Sequence, residues 1–241
     1  MSETRRSNIV VITGTDTAVG KTWVTAALGR ALVRKGATVR AVKVVETGCS
    51  DAHRDTEDGV ILARATGQDA PVEALYRFRD ELSPVLAAER AGQVLDFDEM
   101  LMAVERYAAR CDLLLLEGAS GLLSPFTWEW CLVDIAQALE ARALVVGSDR
   151  LGTLNHALLT LGALELAAVP VAETILTPPS TADVSTGTNA AALKRLSGVA
   201  RVMTVPRTDD PETAADSLAD VAERLLAAQL PPATAVTGPS R

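Results

Sequence analysis

The run GTDTAVGKT at 14–22 brings together the groups that grip a phosphate: glycines near its ends, the ammonium of Lys21 and the hydroxyl of Thr22. An apolar run, Ile9, Val10, Val11 and Ile12, precedes it and a helical repeat follows. Strand, loop and helix in that order are the setting of a phosphate-binding loop. The backbone amides of Asp16, Thr17, Ala18, Val19 and Gly20 then face phosphate oxygens, and the helix start adds its positive dipole end. Lys21 reaches the β- and γ-phosphates and Thr22 faces Mg²⁺. The common pattern GxxxxGK[ST] has glycine where this chain has Thr15; its glycine is Gly14, so the loop is a variant.

Three charged residues elsewhere join this chemistry if the chain returns them to the same edge. Glu117 ends the apolar run LLLLE, where nucleotide enzymes put a carboxylate on Mg²⁺ or its water; its other reading is a strand-end acid in solvent. Asp58 is a second carboxylate for the metal or an acid serving the start of its own helix. Lys43 stands in an apolar strand, so its ammonium needs an anion or must reach solvent from the strand end. Thr153 and Asn155 precede another apolar run and read as caps of a helix whose free amides also suit a carboxylate. His156 beside them reads as a packed residue rather than a base, and Trp128 and Trp130 as packing or interface residues.

The elements that must position these groups alternate. The stripe Val24, Ala27, Leu28, Ala31 and Leu32 gives a helix after the loop, and 38–45 a second strand. A short helix follows at 55–67, another opens at Ser83-Pro84, and a third carries Phe97, Met100, Leu101, Val104 and Ala108. Four leucines at 113–116 read as a strand buried on both faces. Then come a helix at 128–140, a strand at 141–149, a helix after the 151–155 loop, strands near 171–176 and 202–206, and helices near 190–196 and on Leu218, Val221, Ala222 and Leu225. This order indicates an α/β fold of the P-loop NTPase type, a mainly parallel sheet with helices on both faces and its site at the strands' carboxyl ends. Residues 1–230 are expected to form one such domain and 231–241 a disordered tail.

Composition narrows the partners. With 241 residues and 48% hydrophobic content the chain can bury a sizeable core. A net charge of −8 without a Lys/Arg block draws it to neither nucleic acid nor an anionic membrane. Cys49, Cys111 and Cys131 are odd in number and have no metal-ligand spacing, so reduced thiols in a cytoplasm are expected. The opening MSETRRSN has no apolar stretch of signal-peptide length.

From about Ile9 to Arg207 the chain resembles the dethiobiotin synthetase family. GTDTAVGKT is similar to that family's phosphate loop, VKVVETG at 42–48 to its KPVxTG segment, LLLLEGASGLLSP to its VEGAGG segment, and LGTLNHALLT to its substrate helix. The resemblance implies an ATP-dependent, ring-closing ligase that carboxylates 7,8-diaminononanoate with CO2 or bicarbonate through a carbamate. By similarity Lys21 and Lys43 stabilise phosphoryl and carbamate oxygens, and Thr22, Asp58 and Glu117 hold Mg²⁺. Thr17 and Thr47 orient the diamine and carbamate, and Gly118, Thr177 and Pro206 join the loop around the nucleotide. Gly152, Thr153, Leu154 and Asn155 of a neighbouring subunit hold the substrate carboxylate, which implies a homodimer with sites at the interface.

Three residues depart from the family pattern. Val44 stands in place of a proline, Ser120 in place of the second glycine of GAGG, and Thr177, before Pro178-Pro179, in place of the base-recognising asparagine. Threonine bonds a purine edge less completely than an amide does, which implies a looser choice of base. Two other functions fit the same loop: a partitioning or regulatory ATPase, which usually has a lysine where this chain has Asp16, and a diverged paralogue acting on another amine.

Overall fold

The computed structural model describes residues 8–198 and 201–228. The chain enters through β1 (Asn8–Gly14), α1 (Lys21–Arg34) and β2 (Val39–Lys43). A small excursion follows: β3 (Val45–Thr47), a 3₁₀ turn (Asp51–Thr56), α2 (Asp58–Thr66) and β4 (Tyr76–Phe78). Two helices, α3 (Pro84–Ala91) and α4 (Phe97–Ala108), lead to β5 (Leu113–Gly121). The rest alternates as α5 (Leu132–Ala138), β6 (Arg142–Ser148), α6 (Thr153–Leu166), β7 (Val171–Thr177), α7 (Asn189–Ser197) and β8 (Val202–Thr204), then α8 (Pro211–Ser217) and α9 (Ala219–Ala227).

Six strands form one parallel sheet in the order β2-β5-β1-β6-β7-β8. The two-residue period of a strand divides its side chains between two cores. Val11, Val42, Leu114, Leu116 and Val145 face α4 to α7, while Val10, Ile12, Ala41, Leu113, Leu115 and Val146 face α1, α2, α8 and α9. Leu113 to Leu116 have no exposed surface, each contributing about 1.5–3 kcal/mol of burial. Helices therefore cover both faces, as the alternating pattern requires. The strand order reverses around β1, and a crevice opens there at the carboxyl ends of the strands.

Three expected elements differ. The second strand does not run through 38–45: β2 stops at Lys43, and Val45–Thr47 leaves the main sheet to pair in parallel with β4. The helix expected at 128–140 begins only at Leu132, because Thr127 Oγ1 accepts the amides of Glu129 and Trp130 in a turn. The expected caps Thr153 and Asn155 do not cap α6; Gly152 is its N-cap, with φ 95° and no capping side chain. The tail expected at 231–241 lies outside the described residues. Among the described residues no helix is long and apolar enough to cross a membrane.

Candidate active site

The phosphate loop joins β1 to α1 and turns tightly back on itself. A Cβ on Gly14 would lie 2.6 Å from the Asp16 carbonyl oxygen and 3.0 Å from Lys21 Nζ, so glycine is required at this displaced position. Gly20, with φ 87°, caps α1 without a side chain, and the first turn has no acid, so nothing from the helix itself neutralises its opening amides. Lys21 Nζ donates to the Asp16 carbonyl at 3.2 Å and so bends over the loop. Burial and the charge of Lys43 lower the Lys21 ammonium to about 8, against the pull of Glu117, Asp58 and Asp16. Asp16, Thr17 and Ala18 are exposed at the rim.

Glu117 sits on the central strand β5 with no exposed surface, and its carboxylate gathers the site. Oε1 accepts from Thr22 Oγ1 at 2.8 Å and from Lys43 Nζ at 2.8 Å; Oε2 accepts from Thr25 Oγ1 at 2.6 Å. β2 lies beside β5 with Lys43 in register with Glu117, and this pairing delivers the ammonium. Lys43 also donates to Asp58 Oδ2 at 2.7 Å. Burial alone would lower Lys43, but Glu117 and Asp58 outweigh it and hold the ammonium above its ordinary value. Burial pushes Asp58 up, yet the Lys43 ammonium holds it below the ordinary carboxylate value. The open readings of Glu117 and Lys43 close here: Glu117 has no exposed surface, Lys43 keeps only 5%, and each is the other's partner.

Asp58 is held in place by a residue that the sequence alone does not single out. Glu46, buried on β3, accepts the amide of Asp58 on Oε1 at 2.5 Å and that of Gly59 on Oε2 at 2.9 Å, capping α2 from another element. Burial raises Glu46, while the Gly59 amide pulls it down. A Cβ on Gly59 would lie 2.2 Å from the backbone nitrogen of Ala74, so α2 starts against the 73–74 backbone without slack. Glu46, Cys49 and Glu57 bring possible metal-ligand atoms within 4.8 Å of one another. Both carboxylates are already committed, Glu46 to the helix amides and Glu57 to Arg77 at 2.6 and 2.8 Å. Thr25 was likewise missed; its signal is the position one helical turn after Lys21, facing the same side.

The remaining predicted residues lie in several places. Beside the loop is a cavity of about 410 Å³ lined by Val19, Trp23, Thr177, Pro178, Pro179 and Pro206 among others. There Thr177 Oγ1 donates to the Val19 carbonyl at 2.8 Å, and Trp23 Nε1 donates to the Thr208 carbonyl at 3.0 Å. Gly118 is buried, and a Cβ on it would meet Leu132 at 2.3 Å. Thr47 is in register with Phe78 in the small sheet, not on the strand that carries Lys43. At the α6 start Gly152 and Asn155 are exposed, Leu154 is half-buried, and Thr153 is buried with a hydroxyl that has no partner. The loop before it is tied down by Asp183, which accepts the Leu151 amide at 2.8 Å. His156 is exposed; Trp130 stacks on Phe97 with centroids 4.4 Å apart, and the exposed Trp128 donates to Glu89.

Thr22, Asp58 and Glu117 supply the hard oxygen donors that Mg²⁺ takes. Asp58 gives Lys43 only Oδ2 and keeps 35% of its side chain in contact with solvent, and Thr22 lies 2.8 Å from Glu117, so the set fits a divalent cation beside the ammonium. Together with the uncapped loop, the arrangement can hold a nucleotide's phosphates and stabilise charge that develops beside them.

A family model described as an AAA domain matches residues 8–215. Among solved structures, a chain of the MinC:MinD cell division protein complex of Aquifex aeolicus superposes with a TM-score of 0.59 over 94% of this chain and 98% of that one, at 16% identity; at that distance it shows the P-loop ATPase fold alone. The ATP-dependent dethiobiotin synthetase BioD of Mycobacteroides abscessus is 43% identical over 68% of this chain and 71% of its own length. The protein of that name from Aquifex aeolicus is 32% identical over 90% of this chain and 97% of its own length. Identity of 43% and 32% over two thirds or more of both chains shows the family: the chain belongs to the dethiobiotin synthetase family.

Proposed function

We propose that this chain uses ATP to join carbon dioxide to 7,8-diaminononanoate and close the cyclic urea of dethiobiotin. The observation that carries this reading is the pair of cations at one sheet edge: Lys21 bent over the phosphate loop and Lys43 held between Asp58 and Glu117. Hydrolysis needs charge on the phosphate alone. Transfer of a phosphoryl group to a carbamate needs cationic charge on both partners, because both are anions.

The reaction has three steps. One amine adds to carbon dioxide and loses a proton, giving a carbamate. A carbamate oxygen attacks the γ-phosphorus and ADP leaves, giving a carbamic-phosphoric anhydride. The second amine then attacks the carbonyl carbon and loses its proton, and inorganic phosphate departs. Lys21 neutralises the phosphoryl oxygens and Lys43 the carbamate end, while Thr17 and Thr47 orient the diamine. Thr22, Asp58 and Glu117 would hold Mg²⁺, which draws charge from the phosphate oxygens. The uncapped start of α6, from Gly152 to Asn155, binds the substrate's distant carboxylate in a second copy of the chain, so the working enzyme is a cytoplasmic homodimer.

The test is ADP release by the purified chain. Release that requires both 7,8-diaminononanoate and bicarbonate supports the reading; diamine-independent hydrolysis overturns it in favour of a regulatory ATPase.

A further inference from the structure

We propose that Ser120 and Thr17 act as one hydroxyl pair that binds the reacting end of the diamine, so that Ser120 is a substrate-binding residue of this chain. This rests on the reading above. Four non-glycine residues among those described have positive φ. Glu140 and Ala168 each follow the C-cap of a helix, where that conformation is routine. Ala18 belongs to the phosphate loop itself. Ser120, with φ 52°, is neither: it lies within β5, beyond Glu117. A left-handed residue there is held by its surroundings and points to a use.

The surroundings are visible in the ladder. Between the pairs Ile12↔Glu117 and Gly14↔Gly121, β1 advances two residues and β5 four, so Gly118 to Ser120 bulge out of register. Bulges beside active sites re-aim side chains. This one aims the Ser120 hydroxyl at Thr17, with the two oxygens 2.6 Å apart. The Ser120 carbonyl and Lys21 Nζ each lie 3.0 Å from the point a Cβ on Gly14 would take, so the backbone of Ser120 runs beside the phosphate loop to which Thr17 belongs.

Hydrogen counting gives the ligand class. Two hydroxyls hold two hydrogens, and the bond between them uses one. The pair is left with one donor and free acceptor lone pairs, on an exposed Thr17 and a half-buried Ser120. A phosphate or carboxylate, which only accepts, uses half of this. The N-carboxylated amine, a carbamate, presents N–H and oxygen together and uses all of it.

The experiment compares the wild-type chain with Ser120→Ala and Ser120→Gly, measuring KM for diamine and for ATP separately, with thermal unfolding alongside. Both variants are expected to raise the diamine KM by about five- to tenfold while leaving the ATP KM within about twofold. Ser120→Gly should melt above Ser120→Ala, because glycine accepts the left-handed backbone. An unchanged diamine KM in Ser120→Ala overturns the inference, as does a loss confined to Ser120→Gly or an equal rise in both KM values. If the wild-type chain shows no diamine-dependent ADP release, the functional reading itself fails; if it does and Ser120→Ala matches it, only this inference fails.

Discussion

Replacing Lys43 by alanine tests how the site is built as well as what it does. Among the described residues Lys43 is the one cation in direct ion-pair contact with Glu117, whose side chain has no exposed surface, while Asp58 keeps 35% of its side chain in contact with solvent. Removing one member of a buried pair typically costs about 3–5 kcal/mol, because the other charge is stranded. Asp58 can turn to water and adds little. Glu117 keeps the Thr22 and Thr25 hydroxyls at 2.8 and 2.6 Å, which places Lys43→Ala at the lower end, about 3 kcal/mol. For a chain of this size that is a fall of roughly 6–12 °C in melting temperature. Adding Glu117→Gln removes the stranded charge, so the double variant should recover about half of the loss. The assay is thermal unfolding without nucleotide, in low and high salt, since a buried pair is insensitive to screening. A Lys43→Ala variant melting within about 2 °C of wild type, or a double variant less stable than the single one, refutes the reasoning. Both variants should form no product.

Other outcomes follow from the same geometry. The Thr177 hydroxyl is spent on the Val19 carbonyl, and the cavity beside it is walled by Pro178, Pro179 and Pro206, so CTP should support turnover about as well as ATP; strict dependence on ATP in a nucleotide panel refutes this. Glu46→Ala leaves the amides of Asp58 and Gly59 without their acceptor and should cost about 1–2 kcal/mol, read as a lower urea midpoint with unchanged slope. Burial pushes Cys49, Cys111 and Cys131 up to about 11 each. At pH 8 the thiolate is then about one part in a thousand, and alkylation of the folded protein should be slow and rise roughly tenfold per pH unit up to pH 10. Rapid labelling of a single cysteine at pH 7 would contradict it.

The sheet, its parallel sense and most helices were legible because apolar runs and apolar stripes have different periods, and LLLLE is unambiguous on that ground. The phosphate loop and the convergence of Lys43 and Glu117 were legible because each follows or ends a strand of one parallel sheet; Asp58 opens a helix, and spacing alone left its role open between the metal and the helix start. What did not show was any contact that depends on register or turn geometry. Nothing in VKVVETG marks the departure of the chain from the sheet after Lys43, since valine suits either path. Glu46 looks like a loop acid until β3 is seen to face the start of α2. Gly152 was passed over as a cap because Thr153 and Asn155 are the usual capping types, and Ser120 reads only as a departure from a glycine until its backbone is known.

The cap that Glu46 places on α2 ties the small β3–β4 pair to the chemistry. Any change that slides that two-stranded unit by a fraction of an ångström is transmitted to the carboxylate of Asp58, although no member of the unit other than Thr47 has a proposed role with the reactants. Laboratory selection for rate can therefore find its handles at Tyr76, Arg77 or Val45, on the outskirts of the cleft, where mutations adjust the tuning and spare the instrument.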